Sequence, residues 1–249
     1  MKIIKTYGYL FLLIIIYSCQ EKKNLLVKQF KDSGDRGEFE YIINKGDTIL
    51  DGNFVIYNDE NKKISTGKYF NGEPKGKQYF FYSNGNIESI HYRKNKKIYE
   101  ESVYYHESGK LRKYVLYDDF GESVFIIRFD SKENVINYEG LPLIELYHLR
   151  EKKYKKYKIG DTLQYKLIIA EIPKSTKKVK IELKNFDNSK LKRELTKIEP
   201  VGMEVKELIL KKGMNQIKAT VEFEFNDIKK TKIEDSILID FDGTVRQTV

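Results

Sequence analysis

What most restricts the fold of this chain is an aromatic hairpin that recurs through its first half. Three stretches align: Phe54-Val55-Ile56-Tyr57-Asn58, Phe80-Phe81-Tyr82-Ser83-Asn84-Gly85 and Tyr104-Tyr105-His106-Glu107-Ser108-Gly109. A fainter fourth is Ile127-Arg128-Phe129-Asp130-Ser131. The anchors Tyr57, Tyr82, His106 and Phe129 lie 25, 24 and 23 residues apart. Between them runs a second series: Tyr69-Phe70-Asn71-Gly72, Tyr92-Arg93-Lys94-Asn95 and Tyr117-Asp118-Asp119-Phe120-Gly121. Each unit reads as strand, polar turn, strand, turn. Asn-Gly at 71–72 and 84–85 is a hairpin signal, because both residues tolerate positive φ. One hairpin cannot bury its own face, so self-similar hairpins at this period predict a stacked array.

The chain divides near residue 147 by charge and by aromatic usage. From 19 to 145 there are 20 basic and 21 acidic residues; from 146 to 249 there are 24 and 16. The basic character therefore belongs to the second region. Of the 19 Tyr, 13 lie between 41 and 147 and none follows Tyr165, which predicts two differently built cores. With 40% hydrophobic residues and only 4 Pro, the chain predicts a packed all-β protein rather than a disordered linker.

Residues 1–18 read as an export signal. Lys2 and Lys5 precede an uncharged apolar run from Tyr7 to Tyr17. That run is far shorter than the roughly 20 residues of a spanning helix. It ends in Ile16-Tyr17-Ser18-Cys19, which resembles the lipobox of bacterial lipoproteins. The resemblance implies cleavage before Cys19 and acylation of its thiol and amine. Cys19 is the one cysteine of the chain, so the mature protein is expected to hold no intramolecular disulfide. Gln20 stands where Asp commonly retains lipoproteins at the inner membrane, which points to the outer membrane. Residues 19–49 then read as a tether and lead-in strand.

Residues 50–145 resemble the MORN-repeat family in its bacterial variant form. The best copy runs from Tyr69-Phe70-Asn71-Gly72 through Gly76 to Tyr82-Ser83-Asn84-Gly85. It departs from the family pattern at Gln78, where an aromatic is usual, and the third unit has Glu101-Ser102 in place of Gly76-Lys77. Similar repeats occur in antitoxin-type proteins of toxin–antitoxin pairs and in many bacterial lipoproteins. The resemblance implies a β-hairpin array and, as an alternative function, an antitoxin- or immunity-type protein that neutralises a toxin.

Residues 146–249 read as an immunoglobulin-like β-sandwich. Val179-Lys180-Ile181-Glu182-Leu183 and Ile217-Lys218-Ala219-Thr220-Val221-Glu222-Phe223-Glu224-Phe225 alternate apolar and charged residues, one face in and one out. Leu163 to Ile169, Val205 to Leu210 and Ser236 to Phe241 supply further strands, and helix signals are nearly absent.

Chemistry-bearing patterns are few. Asp240-Phe241-Asp242-Gly243-Thr244 resembles the nucleophile motif of haloacid-dehalogenase-type phosphatases. In that family the motif opens a long α/β chain, whereas here five residues follow it. His91, His106 and His148 lack metal-ligand spacing, and no serine sits in a nucleophile elbow. The expectation is a protein without catalytic activity, metal or cofactor. The candidate binding residues are Lys152, Lys153, Tyr154, Lys155, Lys156 and Tyr157, a basic, tyrosine-interleaved segment suited to lipid headgroups or anionic glycans. Export argues against nucleic acid. The sequence thus predicts a membrane-anchored envelope lipoprotein that serves as a binding or scaffold module for a protein or glycan.

Overall fold

The computed structural model describes residues 23–96, 99–145 and 156–244. The signal-like run with Cys19, and Lys152, Lys153, Tyr154 and Lys155, lie outside the described residues. No α-helix occurs among the described residues, and none of them forms a helix long and apolar enough to cross a membrane.

The first eleven strands build one sheet. They are β1 (Asn24–Gln29), β2 (Arg36–Asn44), β3 (Asp47–Tyr57), β4 (Lys63–Phe70), β5 (Glu73–Pro74), β6 (Gly76–Phe81), β7 (Ile87–Arg93), β8 (Tyr99–Tyr105), β9 (Leu111–Tyr117), β10 (Ser123–Phe129) and β11 (Val135–Gly140). The order across the sheet is the order in the chain, every pairing is antiparallel, and only the two-residue β5 stands off the path.

One turn geometry repeats. Asn58, Tyr82, His106 and Asp130 each donate their N–H to the carbonyl four residues on. Their own carbonyls accept from the residue three on, which has positive φ: Asn61, Gly85, Gly109 and Glu133. These four turns, all at one end of the strands, start 24 residues apart; Asp118 forms the same turn at the other end, its N–H donating to Glu122 and its carbonyl accepting from Gly121. Each of the four follows a register shift, at Ile56/Tyr57, Phe80/Phe81, Tyr104/Tyr105 and Arg128/Phe129. This is a three-residue hairpin loop closed by a bulge. The structural period is therefore uniform, whereas Tyr57 and Phe129, chosen as anchors from the sequence, sit one residue before the turn. At Asn71 and Gly72 both residues have positive φ, as an Asn-Gly hairpin requires.

The remaining strands are β12 (Leu143–Glu145), β13 (Lys156–Lys158), β14 (Thr162–Ile169), β15 (Ser175–Leu183), β16 (Arg193–Ile198), β17 (Gly202–Leu208), β18 (Gly213–Phe225) and β19 (Lys232–Thr244). They form two four-stranded sheets, β12-β14-β17-β16 and β13-β19-β18-β15. In chain order these are A, A′, B, C, D, E, F and G, so one sheet is A-B-E-D and the other A′-G-F-C, the arrangement of an immunoglobulin-like sandwich. β13 runs parallel to β19. Alternation fills the interior: Ile217, Ala219, Val221 and Phe223 of β18 are fully buried, while Lys218, Thr220, Glu222 and Glu224 face out.

The two regions do not hold separate cores, as their aromatic usage suggests. One buried cluster runs from Val103, Leu111, Tyr114, Leu116, Phe125 and Ile127 of the array into Leu143, Leu167, Ile169 and Phe225 of the sandwich. The array needs this partner because a single-layer sheet leaves both faces to water. Each large side chain so covered contributes about 1.5–3 kcal/mol. Polar contacts fix the joint: Glu171 N donates to the Tyr114 hydroxyl at 3.0 Å and Val135 N to Asp227 at 3.3 Å.

Candidate binding groove

Cross-strand register decides which array residues meet the sandwich. One row on one face reads Asn53, Lys68 on β3 and β4, then Lys77, Tyr92, Glu101 and Leu116 on β6 to β9. The next reads Val55, Thr66, Tyr79, Ile90, Val103, Tyr114 and Ile127. The first row starts with Asn53, Lys68 and Lys77 and the second with Val55, Thr66 and Tyr79; both end apolar, in Leu116 and Ile127. From β8 onward they lie under the sandwich, with Glu101 their one charged member there. On β3 to β7, Asn53, Thr66, Lys68, Lys77, Tyr79 and Tyr92 stay open and form the floor of a groove of about 460 Å³. Lys75 and Gly76 rim it from the β5–β6 turn, and Glu199 reaches it from the β16–β17 turn of the sandwich.

Lys68, Lys75 and Lys77 line this space together with one carboxylate, Glu199. Among the described residues none of the three has an ion-pair partner within 4.0 Å. Lys75 lies 5.3 Å from the Phe70 ring, a cation–π contact that leaves its ammonium in water. Asn53 is held by Glu40, which accepts from its backbone N–H and side-chain amide. Those bonds hold the Glu40 carboxyl below its ordinary range. The Thr66 hydroxyl donates to the Phe54 carbonyl at 2.6 Å. Burial first, then Glu100, Glu199 and Glu101, raise the Tyr92 phenol above its ordinary value, so it stays neutral with its ring toward the groove. The groove thus combines three lysines, two phenol rings and preorganised amide and hydroxyl groups.

Of the residues singled out from the sequence, Lys156 and Tyr157 fall in β13. Tyr157 is a correction. Pairing opposite Gly243 turns its ring inward, where it is 8% exposed and belongs to the core. It is therefore a packing residue and not a surface contact. Asp240 and Asp242 lie within β19, paired with Gln216 and Met214 of β18, and Asp240 accepts from Gln216 at 2.9 Å. That places them in a regular antiparallel ladder and not at a strand-to-loop exit.

On the opposite face of the array, His91 contacts Ser89 at 3.0 Å and Ser102 at 3.2 Å. Phe80, Tyr99 and Tyr104 pack edge-on around its ring. Ser102 is fully buried. Burial, then Arg93 and Lys113, bring the imidazole down to about 4. Among the described residues no carboxylate bonds the ring, and the Ser102 hydroxyl is buried, so the cluster ties strands together rather than exposing a nucleophile. Among the described residues no group of three His, Cys, Asp or Glu side chains is placed to hold a metal.

The groove lysines escaped the sequence reading because isolated lysines on strands are ordinary solvent-facing residues. The available signal was Lys75-x-Lys77-x-Tyr79, three residues on one face of an extended segment. It gains meaning only when Lys68 and Tyr92 arrive from neighbouring strands.

No protein-family model and no curated protein matches the chain. Two solved structures are similar to it at 8% identity. The S-layer protein SbsC domains 4 and 5 give a TM-score of 0.26, covering 89% of this chain and 98% of that one. The S-layer protein rSbsC(31-844) gives 0.28, covering 90% of this chain and 49% of that one. The likeness is one of all-β architecture and assigns no family.

Proposed function

We propose that this chain is a lipid-anchored, non-enzymatic binding module of the bacterial envelope, built on MORN-variant repeats, whose groove holds an anionic glycan. The observation that carries this reading is the open groove in which three lysines, without an ion-pair partner among the described residues, stand beside Tyr79 and Tyr92. A sugar ring offers C–H faces to the phenols, and its hydroxyls suit the amide and hydroxyl groups. A carboxylate or phosphate on the sugar satisfies the ammonium groups. The volume falls in the range of small-ligand sites, about 300–1,000 Å³. The uniform hairpin period supports the repeat assignment, and Ile16-Tyr17-Ser18-Cys19 supports anchoring by acylation at the outer membrane.

The test measures binding to a uronic-acid polymer, with a neutral glucan as control, at rising ionic strength. Lys68→Gln combined with Lys77→Gln removes two exposed charge contacts worth about 0.2–1 kcal/mol each. Affinity should drop roughly 2- to 30-fold, and salt should weaken wild-type binding. Equal affinity for both polymers, or a variant that binds as wild type does, refutes the glycan reading. Intact mass and detergent partitioning of wild type beside Cys19→Ala test the anchor separately.

A further inference from the structure

The strongest unassigned feature is the free edge of β1. Among the described residues β1 pairs only with β2, and its outer edge meets no strand. Leu25, Leu26 and Val27 are 60%, 40% and 54% exposed. An edge strand presents unpaired N–H and C=O groups, and proteins blunt such edges with charge, proline, shortness or a covering loop. The other edges carry those devices. β15 bears Lys177, Lys178 and Lys180, β16 bears Arg193, Glu194 and Lys197, and β12 and β13 have three residues each. At β11 the β18–β19 turn covers the start of the strand, with Asp227 accepting from Val135 N and Ile228 N donating to Asn134. β1 has six residues, one charge and, among the described residues, no cover.

We infer that β1 is an interface for a second copy of this chain, pairing antiparallel with its own equivalent. The sequence Asn24-Leu25-Leu26-Val27-Lys28 is self-complementary about Leu26. A two-fold axis normal to the sheet keeps each face on its own side, so only residues of the same face can pair. That leaves three central registers. With Leu26 opposite Leu26, Leu25 pairs with Val27 and Asn24 with Lys28, and every apolar side chain meets an apolar side chain. With Leu25 opposite Leu25, Leu26 faces Asn24 and Val27 faces Lys23. With Val27 opposite Val27, Leu26 faces Lys28 and Leu25 faces Gln29. Only the first register matches both faces, and cross-strand pairs of this kind are the unit of sheet stabilisation. The pairing is isologous, so it closes at two copies, and it joins two arrays into one continuous sheet. It does not depend on what the groove binds.

Every described strand and the buried core lie after residue 22, so a chain starting at Gln20 keeps all of them and has no cysteine. Sedimentation equilibrium should show a concentration-dependent species of twice the monomer mass. Leu25→Lys with Val27→Lys should abolish it, the circular dichroism spectrum remaining that of the wild type. Opposed residues of antiparallel strands lie about 4.5–5.5 Å apart at Cα, within disulfide range. Leu26→Cys should therefore oxidise to a covalent dimer. Lys28→Cys should not, because its two copies are offset by four residues, about 13 Å along the strand. A monomer at all concentrations without Leu26→Cys cross-linking overturns the inference. So does a dimer that survives the double lysine variant, or cross-linking through Lys28→Cys as strong as through Leu26→Cys.

Discussion

Replacing Glu101 by Gln should change how stability depends on pH. Glu101 stands on β8 under the sandwich, opposite Tyr92 and Leu116, with one buried carboxylate oxygen lacking a hydrogen-bond partner. Burial pushes its carboxyl up to about 7, with Glu171 and Glu199 adding to the rise, although the Tyr114 hydroxyl and Lys77 oppose it. In the unfolded chain the group returns to its ordinary 4.5. Between those values the folded protein holds a proton that the unfolded chain has released. The stabilisation is complete below pH 4.5, falls as pH rises to about 7, and is level above. At about 1.4 kcal/mol per tenfold change the loss is about 3 kcal/mol. His91 works in the opposite sense. Its folded value of about 4 lies below its ordinary 6.5, so its contribution is present above pH 6.5 and lost as pH falls toward 4. Because His91 keeps partial contact with water, that loss is discounted to roughly 1–2 kcal/mol. The two slopes therefore partly offset each other between pH 4.5 and 6.5. Glu101→Gln keeps the side-chain shape and removes one slope. Urea unfolding across pH 4.5 to 8 should show the variant's advantage growing by about 3 kcal/mol, with an unchanged denaturant slope. A stability difference that stays constant over this range refutes the assignment of the buried proton to Glu101.

Two further substitutions probe the sandwich. Arg193 meets Glu207 at 2.5 Å, and the Glu207 side chain is 2% exposed. Arg193→Ala should cost about 3–5 kcal/mol by urea unfolding at pH 8, because a buried carboxylate loses its partner, and less in acid, where that carboxylate takes up a proton. Tyr157→Ala should cost about 3–5 kcal/mol and leave uronic-acid binding as it is in wild type. Weaker binding without loss of stability would return Tyr157 to the surface.

The turns were legible because their chemistry is local. Asn71-Gly72, Asn84-Gly85 and Ser108-Gly109 announce positive φ by residue type, and all the glycines among them adopt it. Glu133 also adopts it, at 68°, without any such signal; the repeat position imposes what its side chain disfavours. The long sandwich strands were legible for a similar reason, since Val179 to Leu183 and Ile217 to Phe225 alternate without a break. β13 was not. Lys156-Tyr157-Lys158 carries too few residues to show a period, and it becomes a strand by parallel pairing with residues about 85 positions later. Its charge suggested a binding segment, while register made its tyrosine a core residue. The shared core was hidden too, because composition reports how much apolar surface a segment has and not what covers it.

The position of the groove follows from one structural fact: a single-layer array has two faces along its whole length, but the sandwich covers only part of one. Where the cross-strand rows carry Leu116, Val103, Tyr114 and Ile127, the sandwich is their partner. Where the same rows carry Asn53, Lys68, Lys77, Thr66, Tyr79 and Tyr92, burying the lysines would cost far more than contact could return, so that stretch stays open. Glu101 stands next to Tyr92 at the boundary, which is why one of its carboxylate oxygens is buried without a hydrogen-bond partner. The residue that reads as a defect in the buried joint and the residues that read as plain surface charge are therefore products of the same register. Moving the boundary tests this. Lys68→Leu with Lys77→Leu extends the apolar rows into the groove, so the variant should lose uronic-acid binding while staying folded, and its open face should bind a hydrophobic dye that wild type excludes. A variant that gains no dye binding and keeps its glycan affinity would show that these rows do not form the groove floor.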